Sequence, residues 1–315
     1  MRSMTYEQIS VLMPVRNEEI SVAAALVDLA SQLNPDDQFL VVNDGSTDAT
    51  PEILAKWQHK SQHVNVLNAD GIGLVQALNL GLAQVSNKWV ARADADDRYP
   101  ADRLINQRAA IRSGAVAVTG DYRLVLPDGS FTQIPCALGP PFVRLSLLNP
   151  QRFPHPGVLF NRDAVLAAGV YREQDFPAED LSLWLRLAEQ GDLVGVPNVV
   201  VDWHLRPGSI SHAKQDQQRA KTAELLKAAD FSWVSTITRE QVKGEIRLYR
   251  DASMRMERTL LLLRDLTCAL AHGLSRQVLE PVVRELAVHP VSSTQAYRRL
   301  RRDAKVRARF RASLG

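Results

Sequence analysis

Trp89-Val-Ala-Arg-Ala-Asp-Ala-Asp-Asp97 is the stretch on which the reading of this chain turns. It reads as an apolar strand that ends in three clustered carboxylates, Asp94, Asp96 and Asp97. Carboxylates delivered to the end of a buried strand are costly unless something positive meets them there. The usual tenants are a hard cation and the phosphates it bridges. Two acidic residues spaced by one lie on the same side of an extended segment. One, Asp96, can then take the metal while the other, Asp94, takes a neighbouring hydroxyl. By itself Asp-x-Asp also fits a solvated acidic turn before Pro100. Its place at a strand end favours the cation.

Upstream, Ile9-Ser-Val-Leu-Met-Pro14, Gln38-Phe-Leu-Val-Val42 and Val64-Asn-Val-Leu67 predict three further buried strands. Ile20 to Leu33, Pro51 to His59 and Gly73 to Val85 carry helical patterns, with Thr50 as an N-cap and Pro51 at the first helical position. Strand and helix alternate up to the fourth strand, Lys88 to Ala93. That is the rhythm of a doubly wound, mainly parallel α/β sheet. Ligands in such sheets sit beyond the carboxyl ends of the strands. Three of these ends carry polar clusters, Arg16-Asn-Glu-Glu19, Asn43-Asp-Gly-Ser46 and Asp94-Ala-Asp-Asp97, which should converge on one crevice.

After Arg103 the pattern changes. A helix to about Ser113 leads to a strand, Ala115 to Thr119, and a hairpin of Tyr122 to Leu126 with Ser130 to Ile134 around Pro127-Asp-Gly129. An irregular proline-rich region follows, then a short strand at Val158 to Phe160 and a helix from Arg162 to Ala168. Glu179 to Ala188 is an amphipathic helix, Leu193 to Trp203 is strand-rich, and helical patterns dominate from about His212.

Charge divides the chain at a similar place. Residues 1–211 carry 17 Lys and Arg against 24 Asp and Glu, whereas residues 212–315 carry 21 against 11. This suggests two units with different jobs. The arginine-rich stretch Tyr297 to Gly315 suits anionic lipid headgroups, nucleic acid or an acidic protein face, and equally a solvated tail. Cys136 and Cys268 match no zinc spacing and no disulfide framework, which points to a reducing compartment. The N-terminus lacks an apolar leader, and the best bilayer candidate, Thr259 to Ala271, is short and carries Arg264 and Asp265. A cytoplasmic setting is expected.

The remaining polar clusters each have two readings. Asn43-Asp-Gly-Ser46 is a plain turn, or it places Asp44 to accept a hydrogen bond from a nucleotide base. Glu179-Asp180 suits the positive end of a helix in any case. It also suits a general base at a cleft edge, with Leu181 and Trp184 anchoring the helix and the carboxylates at its exposed start. His155 in Phe153-Pro-His-Pro-Gly157 lines a site or caps a loop. His204 and Arg206 in Trp203-His-Leu-Arg-Pro-Gly-Ser-Ile-Ser211 contact phosphate or metal, or are ordinary loop residues. No Walker-type loop is present, and Gly71-Ile-Gly73 lacks the third glycine and the context of a dinucleotide site. The Gly-x-Ser-x-Gly elbow of a serine hydrolase is also absent.

Taken in order, Val11-Leu-Met-Pro-Val-Arg-Asn-Glu-Glu19, Val41-Val-Asn-Asp-Gly-Ser-Thr-Asp48, Gly73-Leu-x-x-Ala-Leu-Asn-x-Gly81, Ala91-Arg-Ala-Asp-Ala-Asp-Asp97, His155-Pro156 and Glu179-Asp-x-x-Leu-Trp184 form one series. It resembles a family 2 glycosyltransferase with the GT-A fold, over roughly residues 8–211. The resemblance implies a GT-A domain at 1–211, with a nucleotide-binding half at about 8–103 and an acceptor half at about 104–211. A helical, basic C-terminal region follows at 212–315. It implies inverting transfer from a nucleotide-sugar donor, with UDP favoured, to a hydroxyl of a glycan or lipid-linked acceptor. By the same resemblance Pro14, Val15, Arg16 and Glu18 line the nucleoside and Asp44 faces the base. Gly73, Arg92 and Asp94 complete the donor site, and Asp96 holds Mn²⁺ or Mg²⁺ on the diphosphate. Asp180 is the implied base, with Glu179 supporting it or touching the acceptor. His155, Trp184, His204 and Arg206 are implied acceptor or phosphate contacts.

The chain departs from the family pattern twice. Leu78 stands where many members carry a cation, which leaves Arg92 to compensate. Arg206 stands where relatives have histidine; arginine binds phosphate but does not ligate metal. The third protein contact to the metal is therefore open. A nucleotidyltransferase would share the core and the carboxylates but needs a basic, glycine-rich loop after the first strand, and Pro14-Val-Arg-Asn17 is not one. A silent GT-A binding protein is the other alternative, against which intact Asp44, Asp96 and Asp180 argue. The C-terminal part covers the acceptor cleft, pairs two copies through apolar stripes such as Leu260 to Leu263, or docks peripherally on the inner membrane face. No nucleic-acid partner is expected.

Overall fold

The computed structural model describes residues 6–149, 152–206, 214–250, 254–289, 292–298 and 301. The first four strands are β1 (Ile9–Val15), β2 (Gln38–Asp44), β3 (Val64–Ala69) and β4 (Trp89–Arg92). They alternate with α1 (Val22–Ala30), α2 (Thr50–Lys60) and α3 (Leu74–Gln84). In space they lie in the order β3-β2-β1-β4, all parallel. Every residue of β1 is buried, as a strand covered on both faces requires. Side chains alternate between the faces. Leu12, Leu40 and Val90 share one core with Val75, Leu78 and Leu82 of α3. Val11, Met13, Phe39 and Val41 share the other with Val22, Leu26 and Leu29 of α1. Leu78 is fully buried in this core. Gly81 lets α3 close on β1, since a Cβ there would meet Leu12 Cδ1 at 2.2 Å.

The sheet continues through α4 (Arg103–Ala109), β5 (Ala115–Val125), β6 (Phe131–Ile134), α5 (Pro140–Leu145), β7 (Leu159–Asn161), α6 (Arg162–Ala167), α7 (Glu179–Leu187) and β8 (Asp192–His204). Strand β7 joins the two halves by pairing antiparallel with both β4 and β5. Strand β8 runs parallel to β5 and β6 antiparallel to it, so the sheet is mixed on this side. Two expectations change here. The expected strand at 115–119 and the first arm of the hairpin are one element, β5, bent by register shifts against β8 around Asp121. Thr50 is not an N-cap but the first residue of α2. Its N–H donates to Asp48 Oδ1 at 3.0 Å, and its own hydroxyl accepts the Glu18 N–H at 2.8 Å.

Beyond β8 the helices among the described residues include Gln215–Ala228, Arg239–Arg250, Arg255–Ala269 and Glu280–Val288. Val242, Ile246, Leu262, Leu266 and Val282 belong to the same core as Val143, Trp184 and Leu187. Buried polar contacts tie the two regions further. Arg258 donates to Asp121 at 2.6 Å and to the Cys136 carbonyl at 2.6 Å, and Arg152 pairs with Asp265. Glu245 accepts the N–H groups of Leu138 and Gly139, both at 2.8 Å. Leu261 and Leu262, part of the expected pairing stripe, are buried in the chain's own core, while Leu260 and Leu263 are partly exposed. Cys136 and Cys268 are free thiols. Among the described residues no helix is long and apolar enough to cross a membrane. The loop at 207–213 and most of the arginine-rich end lie outside the described residues.

Candidate active site

The ends of β1, β2 and β4 meet at one edge of the sheet. Ala93 leaves β4 with its N–H still donating to the Leu12 carbonyl at 3.0 Å. The chain then turns at Ala95-Asp96 rather than running on extended. Tyr99 pins this turn. Its hydroxyl accepts the Asp94 N–H at 2.6 Å and donates to the Asp94 carbonyl at 2.8 Å. The turn gathers all three carboxylates, and one oxygen from each of Asp94, Asp96 and Asp97 lies within 4.8 Å of the others.

Three carboxylates so close require compensation. Arg92, fully buried, pairs with Asp94. Arg206 Nε donates to Asp96 Oδ2 at 2.8 Å. Asp97 is 1% exposed; its Oδ1 accepts the His204 N–H at 2.9 Å, and its Oδ2 has no hydrogen-bond partner. Burial, then the Asp94 charge, pushes the Asp96 carboxyl up to about 6, against the pull of Arg206. Burial and its two acidic neighbours raise Asp97 well above the carboxylate range. This donor set suits Mn²⁺ or Mg²⁺: hard oxygens, one of them buried and unpartnered, in a cluster that ionises more readily beside positive charge.

On the nucleotide side, Pro14 and Val15 are buried at the end of β1. Arg16 is exposed and lies 3.7 Å from where a Cβ on Gly71 would stand. The Arg206 fork bonds Glu18 through both amino groups, Nη1 to Oε2 at 2.8 Å and Nη2 to Oε1. Asp44 is buried beneath the loop entering α3, where it accepts the N–H groups of Ile72 at 2.6 Å and Gly73 at 2.9 Å. Gly73 has φ +90°, and a Cβ there would meet nothing within 4 Å. The backbone conformation, rather than crowding, calls for glycine.

On the opposite side, α7 opens with Glu179 and Asp180. Leu181 and Trp184 anchor the helix as expected. Glu179 departs from expectation, because its side chain is 6% exposed with Oε2 unpartnered instead of standing at an open helix start. Burial, then Asp180, pushes its carboxyl up to about 8. Burial also raises Asp180, but its Oδ1 accepts the Leu181 N–H at 2.7 Å and Arg92 lies near, both favouring the ionised form. His155 contacts Trp184 edge-on at 5.8 Å and shares a 2.9 Å hydrogen bond with the Tyr171 hydroxyl. Burial, reinforced by Arg92, holds its imidazole well below the usual range, so it is neutral.

Glu18, Asp96 and Arg206 are thus in direct contact, as are Arg92 with Asp94 and His155 with Trp184. His204 meets the cluster through its backbone N–H, while its ring faces the Asp202 carbonyl at 2.9 Å. The residues that sequence reasoning passed over are Asp97 as a buried orphan, Tyr99 and Tyr171. Asp97 closes the motif and Tyr99 lies two residues beyond it, whereas nothing in the sequence flags Tyr171.

The glycosyl transferase family 2 model matches residues 10–144. Over 218 residues the chain is 30% identical to the amylovoran biosynthesis glycosyltransferase AmsE of Erwinia amylovora, covering 64% of this chain and 76% of that one. The chain belongs to glycosyl transferase family 2 and is a glycosyltransferase. Membership sets aside the nucleotidyltransferase reading. The fold is shared with TarS of S. aureus, solved with UDP, at TM-score 0.56 and 16% identity over 92% of this chain and 89% of that one. It is also shared with the mannosyltransferase PcManGT of Pyrobaculum calidifontis, solved with GDP-Man and Mn²⁺, at TM-score 0.56 and 18% identity over 93% and 84%.

Proposed function

We propose that this glycosyltransferase moves a sugar with inversion from a UDP-sugar to an acceptor hydroxyl on a glycan or lipid-linked saccharide. The observation that carries the reading is the position of Arg92. It pairs with Asp94 on the donor side and acts electrostatically on Glu179 and Asp180 on the other. Donor carboxylates and candidate base therefore face one buried guanidinium. UDP in TarS supports the nucleotide, and the biosynthetic role in AmsE's name supports a polysaccharide acceptor.

In this reading Pro14, Val15, Arg16, Glu18, Asp44 and Gly73 surround the nucleoside, and Asp94 meets the ribose or the donor sugar. Asp96, beside Asp94 and Asp97, would hold Mn²⁺ or Mg²⁺, which as a Lewis acid neutralises charge on the departing diphosphate. Arg92 and Arg206 add positive charge at that edge. Asp180 accepts the acceptor hydroxyl's proton as the new bond to the anomeric carbon forms and the bond to the diphosphate breaks. Glu179 holds its proton at neutral pH and donates a hydrogen bond to the acceptor. His155, Trp184 and His204 shape the acceptor cleft. One displacement gives inversion, with no enzyme nucleophile.

Residues 1–211 are proposed to carry the chemistry. Residues 212–315 brace the acceptor half and present a basic end to an anionic membrane surface. Incubation with a panel of nucleotide sugars and Mn²⁺ tests the function. Release of UDP with sugar transfer or hydrolysis is expected; turnover of no donor contradicts it.

A further inference from the structure

We propose that Arg206 is a resident cation of the donor site. It holds Asp96 and Glu18 until a nucleoside diphosphate draws it away, and so makes divalent-metal binding depend on the nucleotide. The inference rests on the reading of Asp96 as the metal-binding carboxylate. All three guanidinium nitrogens of Arg206 are engaged, Nε with Asp96 and both Nη with Glu18. A divalent cation approaching Asp96 meets a positive charge already seated 2.8 Å from its Oδ2. Repulsion and the loss of charge-assisted hydrogen bonds both oppose its entry.

A diphosphate changes the balance. Its oxygens offer the planar fork the bidentate geometry that a carboxylate offers. The Arg206 side chain is 40% exposed, which leaves it room to re-aim within the cleft. Once it turns to phosphate, Asp96 is free beside Asp94 and the unpartnered Asp97 Oδ2. Metal and nucleotide then assist each other, and the coupling is reciprocal by linkage. Arginine does not ligate metal, so at this position Arg206 acts as a gatekeeping charge.

Titration of Mn²⁺ by calorimetry or electron paramagnetic resonance, with and without saturating UDP or GDP, tests this without any turnover. Wild type should bind Mn²⁺ weakly alone. Arg206→Gln, checked for folding by its Tm, should bind Mn²⁺ without nucleotide at least about tenfold tighter, with a smaller further gain on adding nucleotide. Arg206→Lys keeps the charge and should stay near wild type. Equal nucleotide-free affinity in Arg206→Gln and wild type overturns the inference. Asp96→Asn separates the two levels. If it abolishes Mn²⁺ binding while Arg206→Gln changes nothing, only the inference falls. If Asp96→Asn leaves Mn²⁺ binding intact with nucleotide present, the reading of the site falls and takes the inference with it.

Discussion

Asp180 and Asp96 are proposed to divide the work of the site, so their variants should fail differently. Asp180→Asn is expected to keep donor affinity within a few-fold while losing about 10²–10⁴ in transfer rate. Asp96→Ala should instead abolish metal-dependent donor binding, read by calorimetry with UDP and Mn²⁺. An Asp180→Asn enzyme at wild-type rate would contradict the assignment of the base. Glu179 carries a pH signature. Its folded value near 8 lies above its ordinary 4.5 because burial opposes its charge. Between those values the unfolded chain has released the proton and the folded chain has not, so stability falls as pH rises. Glu179→Gln removes this loss. Its Tm advantage over wild type should grow by at least about 2 °C from pH 5 to pH 8.5, and a flat difference would contradict the assignment. The carboxylates were legible in sequence because they cluster at a strand end and a helix start. The Arg206 contacts were not, since they join residues 110 and 188 apart along the chain.

At the scale of elements, β1 to β4 were legible because each is a short apolar run closed by turn residues. The ends of α1, α2 and α3 shifted by one to three residues, where side chains such as Thr50 served tertiary partners instead of caps. Strand β5 was read as two elements because Gly120 and Asp121 interrupt its apolar run. The structure keeps it continuous, since Gly120 lets β8 approach and Asp121 is matched by Arg258. That ion pair is completely buried. Arg258→Leu would leave Asp121 buried without its cation, at a cost of about 3–5 kcal/mol. Denaturant unfolding should show this loss, and Asp121→Asn in the same chain should recover part of it. A loss below about 1 kcal/mol, the range of exposed pairs, would contradict the buried role.

For the whole molecule, charge asymmetry suggested two units, yet the C-terminal helices complete the core beneath α5 and α7. Composition reports surface charge; it does not report which apolar faces meet. A chain ending at residue 211 should therefore expose Val143, Leu187 and their neighbours and lose a single cooperative thermal transition. A truncated chain with the wild-type Tm would contradict this. The same packing holds α7, and with it Asp180, against the sheet edge that bears Asp96. Transfer across that cleft is proposed to be a single displacement, without an enzyme nucleophile. This is tested most directly by NMR of the sugar first released when an α-linked donor, UDP-N-acetylglucosamine or GDP-mannose, is slowly hydrolysed with Mn²⁺ present. The β anomer, seen before mutarotation, is the expected result; the α anomer would contradict the claim.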